Sequence, residues 1–182
     1  VVNITIMALI LIGGLGFTVW ADLKHNKLYF KKYTLHTKIV VVSSIVLVVV
    51  PTILFMYFER DGVEAGMPFA DRFITSLFAA VTPRTAGYNT VDLGAMTQAS
   101  KLLTIILMFI GGCPGSTAGG VKTTSIVIIM VYIWSNLRNA SGCNIYGRRL
   151  ADEDIKKASM VIGLNLIMAV AALLIISGMQ SF

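Results

Sequence analysis

The chain has 182 residues, 56% of them hydrophobic and 13% charged, with a mean hydropathy of +0.80. Soluble domains carry roughly 25% charged residues, so composition points away from a soluble fold and toward an integral membrane protein. The formal charge of +6 does not mark a nucleic-acid partner, because the basic residues gather in two loops between apolar runs.

Residues 6–20 are apolar and hold Gly13-Gly14-Leu15-Gly16-Phe17. Fifteen residues make about 22 Å of helix, short of a span, and residues 1–5 supply the missing length. The glycines permit close helix contact, and plain packing explains them better than a chemical role. The chain opens at Val1, already apolar, without the basic start and cleavage site of a signal peptide. It also ends soon after an apolar run, so both ends are expected to be cuts from a larger protein.

Residues 23–38 are polar and basic, with Lys24, Lys27, Lys31, Lys32 and Lys38 beside His25 and His36. Positive charge places this loop in the cytoplasm. Neither histidine has a partner at metal-ligand spacing, and both are read as solvated. Residues 39–58 form a twenty-residue span with a Ser43-Ser44 pair and one proline, Pro51, expected to kink it. Residues 59–68 then lie outside, with Glu59, Asp61 and Glu64 against Arg60. They read either as an acidic vestibule that concentrates cations or as an ordinary solvated loop.

Residues 69–81 are apolar at helical spacing (Phe69, Phe73, Leu77, Ala80), with Asp71 and Arg72 near the start. Thirteen residues make about 20 Å of helix, too short to cross, and Pro83 and Gly87 prevent continuation. The segment is a re-entrant pore helix aiming its C-terminal dipole at a cation site, or an amphipathic helix lying on the surface. The turn that follows, rich in Thr and Gly, favours re-entry. In it, Thr85-Ala86-Gly87-Tyr88 reads like one copy of a potassium-filter loop, whose backbone carbonyls replace an ion's hydration shell. A lone T-x-G-Y is weak, and its membrane context strengthens it.

Residues 102–110 and 126–134 are apolar runs of nine, each about 14 Å of helix. Between them lies Gly111-Gly112-Cys113-Pro114-Gly115-Ser116-Thr117-Ala118-Gly119-Gly120. Together they make one interrupted crossing, a feature of transporter and channel binding regions. Residues 136–157 form a second basic, cytoplasmic loop, with Arg138, Arg148, Arg149, Lys156 and Lys157 against Asp152, Glu153 and Asp154. Two loops on one side require an even number of crossings, which a span, a re-entrant hairpin and a broken span provide. Residues 158–177 are a last span, with Asn165 turned toward other helices. Cys113 and Cys143 lack metal-ligand spacing and read as free thiols.

The glycine-rich break invites comparison with a nucleotide-binding P-loop, but Val121 separates Gly120 from Lys122-Thr123, and no βαβ unit precedes it. A flexible intramembrane loop fits better, with Ser116, Thr117 and free carbonyls in an ion path and Lys122 meeting water or a carboxylate.

Residues 78–90 and 111–124 in tandem resemble the Trk/Ktr/HKT superfamily of potassium transporters, most closely the membrane subunit of the bacterial Ktr system. The likeness covers essentially the whole chain. It implies an all-α integral membrane protein built of four helix–pore loop–helix repeats around one pore. Here it would comprise the closing helix of one repeat (1–22), a cytoplasmic loop (23–38) and a complete repeat (39–135). That repeat would have a re-entrant pore helix and a broken transmembrane helix. A second cytoplasmic loop (136–157) and the opening helix of the next repeat (158–182) complete the chain.

By position, Thr85, Ala86, Gly87 and Tyr88 would hold potassium through their backbone, Gly87 matching the family's filter glycine. Residues 111–120 would be the gating loop. The resemblance further implies a multi-pass plasma-membrane protein, a homodimer, a cytoplasmic nucleotide-binding regulatory ring and sodium as an activator. No cofactor is expected in the chain, no enzymatic activity and no nucleic acid. The surroundings are membrane lipid and the other three pore-loop repeats. Their filter strands are missing here, so this chain alone is not expected to form a pore. The rival readings are a membrane-bound nucleotide-binding or pump subunit using the glycine-rich segment as a phosphate loop, and a non-transporting membrane scaffold.

Overall fold

The computed structural model of the protein describes residues 2–26, 29–138, 143–145 and 148–179, with the side chains of Arg148 and Arg149 left aside. Val1 of the first expected span, Lys27 of the basic loop and residues 180–182 of the last segment lie outside the described residues. The chain divides into two compact units, Val1–Thr124 and Ser125–Phe182.

The first unit is built around α3, Leu35–Phe58. Its start is fixed by Thr34, whose hydroxyl accepts the Thr37 N–H as an N-cap. At 24 residues it is long and apolar enough to cross a membrane. Pro51 sits inside it. Thr52 and Ser43 turn their hydroxyls back onto the carbonyls of Val48 and Ile39, which hides polar atoms from an apolar surrounding.

Against α3 pack α4, Phe69–Val81, and α5, Gln98–Phe109. Phe55, Ala80, Met96 and Leu107 form the buried contact among these three helices. A second cluster, Met7, Phe78 and Val81, ties α1 (Val2–Gly14) to α4. The bounds of α4 coincide with the short helix read from the sequence.

The first segment differs from the single closing helix expected over residues 1–22. α1 ends at Gly14, and α2, Phe17–Asn26, leaves it at 93°. The bend occurs because Gly16 adopts φ +84, a left-handed conformation that favours glycine. α2 therefore runs into the stretch expected as polar loop, and only a 3-10 turn, Phe30–Lys32, precedes α3. Asp22 closes this corner, accepting the Thr34 N–H at 2.9 Å and hydroxyl at 3.0 Å.

The acidic stretch is not an ordinary solvated loop at its two glutamates. Glu59 is 1% exposed, and Glu64 is also buried. Glu59 accepts the N–H of Val63 at 3.2 Å and the N–H and hydroxyl of Thr97 at 2.9 Å each. It thereby pins the N-cap of α5 to the C-terminus of α3. Glu64 pairs with Arg72 at 3.1 Å and accepts the Ser76 hydroxyl, which orients the first half of α4.

The second unit holds most of α6 (Thr123–Leu137), a two-residue hairpin pairing Asn144–Ile145 (β1) with Arg148–Arg149 (β2), and α7, Asp152–Met179. The hairpin is a small exception to the all-helical expectation. α7 starts six residues ahead of the expected 158, because Asp152, Glu153 and Asp154 in its first turn suit the positive end of the helix dipole. It is long enough to cross a membrane. Asn165 donates to the Val161 carbonyl at 2.8 Å within the helix.

Burial alone raises the pKa of Glu59, but hydrogen bonds from Ser100, Thr97 and Val63 outweigh it and hold the carboxyl below its usual value. A depressed carboxyl contributes stability above its unfolded pKa of about 4.3, and that stability is lost as pH falls through the folded pKa. Glu59→Ala should therefore lower stability by about 2 kcal/mol near neutral pH, since it strands buried donors. In thermal unfolding of the purified full-length protein, the wild type should converge toward the variant as pH drops below about 4.

Candidate functional site

Two irregular loops stand out, and each can be built from its backbone. The first follows α4. Thr82 is the C-cap, its N–H donating to Phe78. Its carbonyl accepts two N–H groups, from Ala86 and Gly87, both at 3.2 Å. Its hydroxyl donates to the Tyr88 carbonyl. One residue thus folds residues 85–88 back over the end of the helix.

Thr85 (φ +68) and Gly87 (φ +75) alternate with residues of negative φ. Thr85 is the only described non-glycine with positive φ, a strain of about 1–2 kcal/mol. The Ala86 and Gly87 amides face α4, while the carbonyls of Thr85, Ala86 and Gly87 accept no hydrogen bond among the described residues. The Tyr88 carbonyl differs, because Thr82 occupies it. Thr85, Gly87 and Tyr88 are exposed and border a cavity of about 350 Å³, with Phe78, Met96 and Met108 on its walls.

Just ahead, Arg84 is buried, and its Nε and Nη2 have no partner among the described residues. The sequence reading passed over it. A buried cation next to an apolar helix leaves no periodicity signal.

The second loop, residues 111–120, satisfies itself. Its ends meet as a parallel bridge, Ile110 to Val121, with the Gly111 N–H donating to Val121 at 2.9 Å. Thr123 donates its N–H to the Gly112 carbonyl and its hydroxyl to the Gly111 carbonyl, each at 3.1 Å. Within the loop, the Ser116 N–H and hydroxyl both donate to Cys113. A Cβ on Gly111 would lie 1.7 Å from the Gly119 carbonyl oxygen, so only glycine lets the two ends close.

Lys122 is half-buried and donates to the Ala118 carbonyl at 2.6 Å; no carboxylate pairs with it among the described residues. The amides of Gly111, Cys113 and Ser116 donate to backbone carbonyls and that of Ala118 to the Ser116 hydroxyl. Cys113 is buried and free, as is Cys143.

The loop also sits on the α1–α2 elbow. The Cys113 N–H donates to Gly14 at 3.1 Å, and the Phe17 N–H donates to Gly115 at 3.2 Å. Of Gly13, Gly14 and Gly16, Gly16 is the one that close packing requires, against a loop instead of a helix: a Cβ there would lie 2.7 Å from the Pro114 oxygen, whereas one at Gly14 meets nothing within 4 Å. Their spacing signals only that something comes close.

The residues 1–181 match the family model described as TrkH, cation transport protein. The chain belongs to the TrkH cation transport protein family. Its relatives in this family include the potassium/sodium uptake protein NtpJ of Enterococcus hirae, 36% identical over 174 residues. That match covers 94% of this chain and 38% of the relative. The Ktr system potassium uptake protein B of Bacillus subtilis is 35% identical over 162 residues, covering 88% and 36%. The fold is similar to the crystal structure of the potassium transporter TrkH from Vibrio parahaemolyticus. The TM-score is 0.68 at 21% identity, over 86% of this chain and 34% of that one. The chain thus spans somewhat over a third of the length of these three proteins, which are named for uptake or transport of potassium or sodium.

The elbow yields a paired test. Gly14→Ala adds a methyl with nothing within 4 Å and should shift stability by no more than about 0.5 kcal/mol. Gly16→Ala puts a Cβ 2.7 Å from the Pro114 oxygen at a positive φ, and should cost about 2 kcal/mol or more. Thermal melts of the two purified full-length variants measure the difference.

Proposed function

We propose that this chain is the part of a potassium uptake protein that supplies one quarter of a selectivity filter and the loop that gates it. The observation carrying this reading is the set of three free carbonyls at Thr85, Ala86 and Gly87, with the Ala86 and Gly87 amides tied to Thr82 and that of Thr85 to Pro83. A strand with donors turned inward and acceptors turned outward suits a desolvated cation and no other common ligand. Family membership supplies the cation class, and the relatives' names supply potassium.

In this reading α4 is a re-entrant pore helix, because its 13 residues cannot cross while α3 beside it can. Its C-terminal dipole end points at the carbonyls. The loop 111–120 lies in the path between α5 and α6, which form one broken crossing. Tyr88 completes the filter segment through its backbone position, with its carbonyl held by Thr82. The basic stretches 23–38 and 136–157 face the cytoplasm of a multi-pass plasma-membrane protein. Three further pore-loop repeats complete the pore. A homodimer, a cytoplasmic nucleotide-binding ring and activation by sodium belong to the same reading, with potassium as substrate and no cofactor in the chain.

Gly87→Ser in the full-length protein should reduce preference for potassium over sodium by about tenfold or more. Nothing lies within 4 Å of a Cβ at Gly87, so the cause would be strain at φ +75 re-aiming the carbonyls instead of a clash. Parallel rubidium and sodium uptake in cells lacking other potassium transporters reads this out; equal ratios in mutant and wild type would remove the filter assignment. Shortening residues 111–120 should raise unregulated flux, and unchanged flux in folded protein would remove the gate.

A further inference from the structure

α2 and the 3-10 turn after it carry side chains that neither loop uses. Phe17 and Tyr29 are 77% and 66% exposed, and Trp20 and Phe30 are exposed as well. Residues 23–38 include five lysines and no Asp or Glu. Lys24, Lys31 and Lys32 are exposed. The Lys32 ammonium lies 5.3 Å from the Tyr29 ring centre, and the Lys38 ammonium 5.9 Å from that of Phe30. Rings and positive charges thus share one surface.

The nearby carboxylate is already spent. Asp22 accepts from Asn26 at 2.6 Å and from Thr34, within the corner that joins α2 to α3. Among the described residues no salt bridge reaches these lysines.

The surface stands at the N-terminal end of α3, a helix long enough to cross a bilayer. That end falls at the level where headgroups begin. Aromatic rings favour this interface, and clustered lysines beside a span attract anionic lipid at about a factor of five each. An acidic protein surface would satisfy the lysines but leave the rings exposed. A lipid leaflet satisfies both.

We propose that the α2 elbow and the turn at residues 29–32 form a binding site for the phosphate headgroup of an anionic phospholipid, and that its occupancy is felt at the glycine-rich loop. The coupling follows the backbone. The first N–H of α2, from Phe17, holds the Gly115 carbonyl, and the Trp20 indole donates to the Ile12 carbonyl across the bend at 3.1 Å. Asp22 fixes the other end of α2 to α3. A headgroup that shifts this short helix moves the loop's seat. The coupling rests on the transport reading above, whereas the binding does not.

The test uses purified full-length protein in phosphatidylcholine vesicles with increasing phosphatidylglycerol. Quenching of Trp20 by brominated phosphatidylglycerol and brominated phosphatidylcholine, corrected with Trp20→Phe, reports headgroup preference without transport. The wild type should prefer the anionic lipid. The doubly substituted Lys31→Gln, Lys32→Gln protein should lose that preference by about tenfold or more. High salt should do the same, and Lys101→Gln, at the opposite end of the unit, should behave as wild type. Equal quenching by both lipids, or quenching indifferent to the lysines, overturns the site. Displacement by millimolar inorganic phosphate, or lysine-dependent binding of an added acidic protein without lipid preference, assigns the surface to another ligand and also overturns it. Rubidium flux should change with the phosphatidylglycerol fraction in wild type and not in the lysine variant; selective quenching with flux indifferent to lipid overturns the coupling alone. Absent flux in every lipid would count against the transport reading, while the quenching still decides the binding.

Discussion

A carbonyl at the end of a helix has to be met by something, and in an apolar surrounding water is not on offer. At Thr82 that requirement organises the filter-like loop. One carbonyl collects the Ala86 and Gly87 amides, and the hydroxyl beside it collects the Tyr88 carbonyl. The Ala86 and Gly87 donors are thereby drawn toward α4, while the Thr85, Ala86 and Gly87 carbonyls accept nothing among the described residues and border the cavity. The rest of the first unit serves to keep α4 where this can happen. Glu64 holds its early turns, and Phe78 and Val81 anchor its last one between α1 and α3.

The glycine-rich loop obeys the same requirement by the opposite route. Its ends close on each other through Gly111, Val121 and Thr123, and its interior carbonyls take Ser116 and Lys122. Two further bonds go to the elbow, one into Gly14 and one out of Phe17. Each interaction is of ordinary strength, roughly 1 kcal/mol net. A set of such bonds holds a loop while leaving it releasable, because no large apolar side chain in it has to be pulled out of a core.

Much of this was legible in the residue pattern. α4 could be bounded because apolar spacing stops where Pro83 forbids another turn, and α3 because twenty apolar residues admit few other uses. The elbow was not legible, since a glycine pair inside an apolar run looks the same whether it packs a helix or breaks one. The decision depends on what approaches, and the Pro114 carbonyl lies about a hundred residues away in sequence. The roles of Glu59 and Glu64 were hidden for a related reason. A carboxylate near a helix end signals exposure by default, and only the arrival of Thr97 and Arg72 turns it into a buried acceptor. Backbone direction at Thr85 was likewise invisible, because threonine seldom takes a positive φ and nothing in its neighbours announces it.

The two loops differ in the fate of their carbonyls. In residues 85–87 they are left free, and a Cβ at Gly87 meets open space. In residues 111–120 those of Gly111, Gly112, Cys113, Gly115 and Ala118 are taken, and a Cβ at Gly111 meets backbone at 1.7 Å. Glycine is needed at the first for the direction it allows and at the second for the closeness it allows. A strand of free acceptors gains only when a cation supplies the missing charge, so its stability is coupled to the ion. A loop closed on its own ends depends also on whatever supports it, which here is the α1–α2 elbow. Among the described residues no hydrogen bond joins residues 85–88 to residues 111–120, so each loop keeps its shape through its own set of bonds, one around Thr82 and one around Gly111, Val121 and Thr123.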